Sequence, residues 1–201
     1  VTHSGNVSGN GYVGSSYIGG IIGFIGGPST KLIQNCLNYG TLTHSGTTST
    51  ELHIGGILGR SLNTYSELEN CVSDGKIVAS TATAKTNYIG SVAGHINYDT
   101  TITQCYWTIN VGNYYGSGYE FPAVDDSKAK KVAINITTIN NLNNYAGNKN
   151  WNKWLLNTNN KSVTFKTNNG NGFTLSSQLI LLPSLTENEN RTFSGWFDDE
   201  D

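Results

Sequence analysis

With 201 residues the chain can bury a sizeable core, in one domain or in one with a small second. A net charge of −2, with 13% of residues charged, supplies no basic face for a nucleic-acid backbone, and no apolar run nears the length of a bilayer span. Glycine (24) and asparagine (26) are abundant, proline (3) is scarce, and Thr, Ser, Ile, Val and Tyr dominate before residue 120, a β-rich composition with many turns.

The chain opens without Met and without a charged-then-apolar leader, as expected of a mature chain or an excised piece. VTHSG at 1–5 matches LTHSG at 42–46, so the opening is expected to lie inside a repeat, with its front half and further repeats upstream in a longer protein. Three copies of one unit follow. Ile-Gly pairs start at Ile18, Ile54 and Ile89, and cysteines fall at Cys36, Cys71 and Cys105, each series recurring every 34 to 36 residues. These matches divide 1–118 into a partial repeat (1–16) and repeats at 17–51, 52–87 and 88–118.

Each unit reads alike. YIGGIIGFI and HIGGILGRS set aliphatic residues among glycines, as buried strands need where backbones pass closely. KLIQNCLNYG alternates, placing Leu32, Gln34, Cys36 and Asn38 on one face and Ile33, Asn35, Leu37 and Tyr39 on the other. Asn38-Tyr39-Gly40 and Ser73-Asp74-Gly75 are turns, and Thr/Ser-rich stretches close each unit as loops. A unit this small cannot bury its apolar face alone, whereas stacking on its neighbours does so. The expected fold is all-β: a β-solenoid of roughly 35-residue repeats, as a right-handed parallel β-helix. The units resemble the GLUG-motif repeats of microbial surface proteins, carried here by Ile18-Gly19-Gly20-Ile21-Ile22-Gly23 and Ile54-Gly55-Gly56-Ile57-Leu58-Gly59, with Asn35-Cys36 and Asn70-Cys71 in the turn that follows. The third copy departs at Ser91. The resemblance covers residues 12–118 and implies a secreted or cell-surface protein.

After Cys105 aromatics replace the glycine core, as expected of a terminal repeat, and Trp107 is a candidate lid on the stack. Residues 119–162 read as a connector covering the solenoid end. A short helix is expected from Ser127, and an amphipathic piece around 142–156 with Trp151 and Trp154 on one face. From 163 the pattern is again β, with an Asn168-Asn169-Gly170 hairpin turn and the strand-sized LILLP at 179–183. This stretch resembles a Listeria–Bacteroides repeat, a small β-grasp-like extracellular module, through Val163-Thr164-Phe165, Pro183 and Phe193-Ser194-Gly195-Trp196-Phe197. It is expected to form a unit of its own over 163–201.

No catalytic, cofactor-binding or metal site is expected. Three cysteines without a C-x-x-C spacing read as a ladder of buried thiols, with a disulfide between adjacent coils as the alternative. His3 and His44, equivalent in the VTHSG match, lack the further ligands a metal requires, and His53 and His95 complete the histidines. Asp125-Asp126 and the run at 198–201 read as solvated rather than as calcium loops. Asn6, Asn135, Asn160 and Asn190 are candidate N-glycosylation sites. The expected function is a non-enzymatic extracellular structural or adhesion protein, a repeat stalk or a fibre-forming surface protein. Its expected partners are other protein chains, cell-surface ligands or copies of itself. Two alternatives stay open: a glycan-binding module, through coil-edge tyrosines such as Tyr17 and Tyr88, and a carbohydrate-active β-helix enzyme. The enzyme needs paired acids among Glu51, Glu67, Glu69, Asp74, Asp99 and Glu120.

Overall fold

The computed structural model describes residues 1–9, 14–46, 50–62, 65–79, 86–96, 100–111, 117–120, 129–156, 163–166, 172–175 and 179–181. Most of the described residues are in strands, and five parallel sheets stack in repeated layers, an arrangement compatible with a β-helix. Sheet I holds Ser16–Gly19, Glu51–Gly55 and Thr86–Gly90. Sheet II holds Ile22–Gly26, Leu58–Leu62, Ala93–Ile96 and Ser117–Glu120. Sheet III holds Lys31–Gln34, Ser66–Glu69 and Thr100–Thr103. Sheet IV holds Thr2–His3, Leu37–Asn38, Val72–Ser73, Cys105–Trp107 and Ala129–Lys131. Sheet V holds Val7–Gly9, Leu42–His44 and Ile77–Ala79.

One pass through sheets I to V makes a layer, and each strand pairs with its counterpart one repeat away. Ile18, Ile54 and Ile89 align in sheet I, Ile33, Leu68 and Ile102 in sheet III, and Val7, Leu42 and Ile77 in sheet V. Stacking like on like gives every layer the same inward residues. The result is one continuous core that holds these aliphatics together with Cys36, Cys71 and Cys105. Sheets I and II approach so closely that glycine is required. A Cβ on Gly55 would lie 1.9 Å from the Leu58 carbonyl oxygen, and one on Gly94 would lie 2.8 Å from the Ile54 nitrogen.

The strict alternation expected across KLIQNCLNYG does not hold. Ile33 and Cys36 both face the core, while Leu32 is 57% exposed. Asn35 has φ of 51°, in the left-handed region, and this kink shifts the alternation by one residue where sheet III gives way to sheet IV. Asn70 (53°) and Gln104 (51°) do the same in the next two layers.

The opening also pairs differently from the VTHSG match. Thr2 and His3 lie beside Leu37 and Asn38, and Val7 to Gly9 lie beside Leu42 to His44. The true offset is 35 residues, because the ladder and the shared inward position of Val7 and Leu42 outweigh a four-residue identity displaced by 41. The layers also continue past 118: Ser117–Glu120 extends sheet II and Ala129–Lys131 extends sheet IV. Trp107 is therefore no lid. It is buried in the main core with Lys131 paired beyond it. Between sheets II and III the chain shortens from layer to layer. Phe24 to Lys31 spans seven positions, Arg60 to Ser66 six and His95 to Thr100 five, while the flanking strands stay in register.

The connector covers the flank of the stack, not its end. Leu37, Val72 and Tyr106 point outward from sheet IV into a second apolar cluster with Ile139, Leu142, Trp154, Leu179 and Leu181. The helix Ile136–Asn148 starts on Asn135, whose side chain accepts from the Thr138 N–H, and buries Ile139, Leu142 and Ala146 at helical spacing. Trp151 and Trp154 do not share a helix: Trp154 opens the strand Trp154–Leu156, which pairs antiparallel with Leu179–Leu181. Three of the five residues of LILLP, Leu179–Leu181, thus pack against the connector. The expected hairpin strands do pair antiparallel, Val163–Lys166 with Gly172–Leu175. Ser127, Asn168-Asn169-Gly170 and everything after Leu181 lie outside the described residues.

Candidate functional site

The residue before each Ile-Gly pair and the residue after each third glycine form two neighbouring columns. In sheet I the column is Tyr17, His53 and Tyr88, and in sheet II it is Phe24, Arg60 and His95. Parallel in-register pairing brings the rings into contact. His53 stacks on Tyr17 (5.1 Å between centroids), on Tyr88 (4.7 Å) and on His95 (5.2 Å). Tyr17 lies 5.1 Å from Phe24, and the Arg60 guanidinium sits 5.6 Å from the Tyr17 ring centre.

Glu51 organises the polar half of this cluster. Its Oε2 accepts from His53 Nε2 at 3.0 Å and from Arg60 Nη1 at 3.1 Å, and Arg60 Nη1 also donates to the Tyr17 hydroxyl at 3.2 Å. His53 is fully buried, and burial holds its imidazole down to about 4 against the opposing hydrogen bond to Glu51. Burial lowers His95 too, with the Arg60 charge adding to it. Glu51 is lowered, chiefly by the hydrogen bond from His53. The imidazoles are therefore neutral at neutral pH, and the ionised partners are Glu51 and Arg60. His53 and His95 are visible in the sequence only as single residues. What links them is that the same two repeat positions carry Tyr/His/Tyr and Phe/Arg/His, a signal that appears once the three copies are laid one above another.

Cys36, Cys71 and Cys105 are free thiols, buried in the main core. Each Sγ donates to backbone carbonyls: Cys36 to Gln34, Cys71 to Glu69 and Ile33, Cys105 to Leu68 and Thr103. The thiol of Cys36 is raised by its hydrogen bond with Cys71 and by burial, and that of Cys71 by burial first. One residue earlier, Asn70 Nδ2 donates to Asn35 Oδ1 at 2.8 Å and to the Leu142 carbonyl at 3.3 Å, and Trp154 Nε1 donates to the same Asn35 oxygen at 2.8 Å. The two asparagines thus turn the chain and also anchor the flank.

His3 and His44 are not brought together: His3 Nδ1 bonds Asn38 Oδ1 at 2.8 Å, and His44 pairs with Gly9 and Ala79. Among the described residues no group of three or more His, Cys, Asp or Glu is arranged to hold a metal. Of the acids, Glu67 and Glu69 share the outer face of one strand on either side of core residue Leu68. Glu69 is taken up by the helix, accepting from Tyr145 Oη at 2.9 Å and from Gln34 Nε2 at 2.9 Å, and burial with Glu69 pushes Tyr145 up to about 12. Asp74 accepts from Thr108 Oγ1 and from Asn110 Nδ2. Asp99, Asp125, Asp126 and 198–201 lie outside the described residues. Asn6 and Asn135 are exposed, each with its Oδ1 engaged, by the Thr41 and Thr138 N–H groups, whereas Asn160 and Asn190 lie outside the described residues.

No family model, curated protein or solved structure matches the chain.

Proposed function

We propose that the stacked layers are a right-handed parallel β-solenoid, and that the chain is a non-enzymatic structural or adhesion element of the cell surface or extracellular space. The observation that supports this best is the register: one period of about 35 residues keeps five sheets aligned through successive layers. At about 4.8 Å per layer the stack is only about 20 Å deep, so it acts as a stiff display block, with its loops as the contact surface. A stalk or fibre requires many such blocks end to end. The GLUG-like glycine cores and the Listeria–Bacteroides-like C-terminal segment point to the same setting, and in a secretory eukaryote Asn6 and Asn135 would carry glycans. The test is paired. Beads coated with the chain should be retained on cells or matrix under flow, and the chain should release no reducing ends from a polysaccharide panel. Absence of retention, or turnover lost in Glu67→Gln or Glu69→Gln, refutes the reading.

A glycan-binding reading is favoured by one observation. Tyr17 (37% exposed) and Phe24 (45%) present two rings beside the Glu51–Arg60 pair, which suits stacking on a sugar ring with hydrogen bonds at its rim. A glycan array probed with wild type and Tyr17→Ala/Phe24→Ala separates the two: signal lost in the double variant supports the lectin-like role.

A further inference from the structure

We infer that the Glu51–His53–Arg60–His95 cluster is an acid-sensitive lock on the seam between sheets I and II, closed at neutral pH and loosened by mild acid. The geometry at His53 carries this. Its Nε2 donates to Glu51, so the neutral ring bears its proton there and presents Nδ1 as a bare acceptor. Nδ1 is buried and has no hydrogen-bond partner among the described residues. Acid adds its proton at that atom, creating a charged N–H with no acceptor, inside the protein and within reach of a guanidinium.

The surroundings offer little to offset the new charge. From its own strand His53 faces Glu51, whose carboxylate is already shared with Arg60. From Leu58–Leu62 it faces Arg60, with Nη1 3.5 Å from Nε2. From Ala93–Ile96 it faces His95, stacked at 5.2 Å and itself lowered by burial and by the Arg60 charge. The strands on either side contribute Tyr17 and Tyr88, whose rings sandwich the imidazole. Ser117–Glu120, which pairs with Ala93–Ile96, brings Tyr119 to the register position of His95 and Glu120 to that of Ile96. Further acid also protonates Glu51, removing the one anion in the cluster.

The position makes the cluster a lock rather than a surface ornament. Sheets I and II meet backbone to backbone with no side-chain padding, so a small displacement of the Glu51–Gly55 strand is passed to both neighbouring layers. The direction follows from linkage. An unfolded imidazole binds its proton near 6.5 and the folded one only near 4, so the contribution of His53 to stability is complete above pH 6.5 and is lost as the pH falls toward 4.

Hydrogen exchange on the full chain tests this, read as protection factors corrected for the intrinsic pH dependence of exchange. Between pH 7.5 and 4.5 the seam amides at 51–62 should lose protection on the order of 80-fold, the ratio of proton binding for those two affinities at pH 4.5. The helix amides at 139–146 should lose less. His53→Gln, which keeps a donor toward Glu51 but cannot titrate, should lose less than a third as much at the seam. A seam loss under tenfold in wild type, a helix loss equal to it, or an undiminished loss in the variant overturns the inference. Should His53→Gln fail to fold, an NMR titration of the His53 imidazole in the unaltered chain decides: a midpoint below 5.5 supports the lock, and one at or above 5.5 overturns it.

Discussion

Replacing Asn70 isolates what the left-handed corner contributes to stability. Asn70 has φ of 53° and is fully buried, and its Nδ2 donates to Asn35 Oδ1 and to the Leu142 carbonyl. In Asn70→Ala the two side-chain hydrogen bonds vanish, but Asn35 Oδ1 keeps its bond from Trp154 Nε1, so no buried acceptor is stranded there. The loss therefore sits near the ordinary net value of about 1 kcal/mol per hydrogen bond. To this is added about 1 kcal/mol for holding an alanine in the left-handed region, for a total of about 2–3 kcal/mol. Asn70→Gly loses the same bonds without the steric cost, and after its greater entropy loss on folding it should be the more stable of the two by roughly 0.5 kcal/mol. Equilibrium urea unfolding followed by tryptophan fluorescence measures both. If Asn70→Gly proves no more stable than Asn70→Ala, the kink is not what the side chain is there to support, and the account of the alternation shift fails.

Other substitutions probe the flank, the seam and the thiols. Leu142→Ala, at a fully buried position between helix and sheet IV, should cost about 2–5 kcal/mol and raise exchange in the helix before the layers, as measured by mass-resolved hydrogen exchange. Gly55→Ala places a methyl 1.9 Å from a backbone oxygen and 2.5 Å from the Gly94 nitrogen, so it should abolish cooperative unfolding, while exposed Gly27→Ala at φ 99° should cost only about 1 kcal/mol. The three cysteines should stay unmodified by a thiol reagent at pH 8 in buffer and react fully in urea, because burial in the core keeps the reagent from all three and also disfavours the thiolates of Cys36 and Cys71; rapid labelling in buffer would contradict their place in the core.

Much of this architecture can be read from the repeat. The Ile-Gly and Cys series are what the ladders align, and the glycine cores mark where two sheets nearly touch. The alternation through Cys36 cannot be read, because it depends on one residue adopting φ of 51°, which asparagine permits but does not require. VTHSG misleads for a related reason: a five-residue likeness is local, whereas pairing is decided by inward side chains spread over a whole layer. The helix is only partly legible: an amphipathic piece is expected around 142–156, whereas the helix is Ile136–Asn148 with its apolar stripe at Ile139, Leu142 and Ala146, and nothing local says that the stripe covers outward residues of sheet IV. The His53 cluster depends on contacts between positions up to 43 residues apart, most of which become visible only when equivalent positions are compared across the copies.

The corner between sheets II and III loses one residue at each successive layer while the ladders on either side keep their alignment. Chain length is thus uncoupled from register at this bend, whereas at the glycine seam a single added atom collides. The bend is a natural insertion port. A foreign epitope or a ligand-binding loop spliced after Leu62 would leave the stack beneath it undisturbed, and copies carrying different inserts at successive layers would present them in a row at the spacing of the strands.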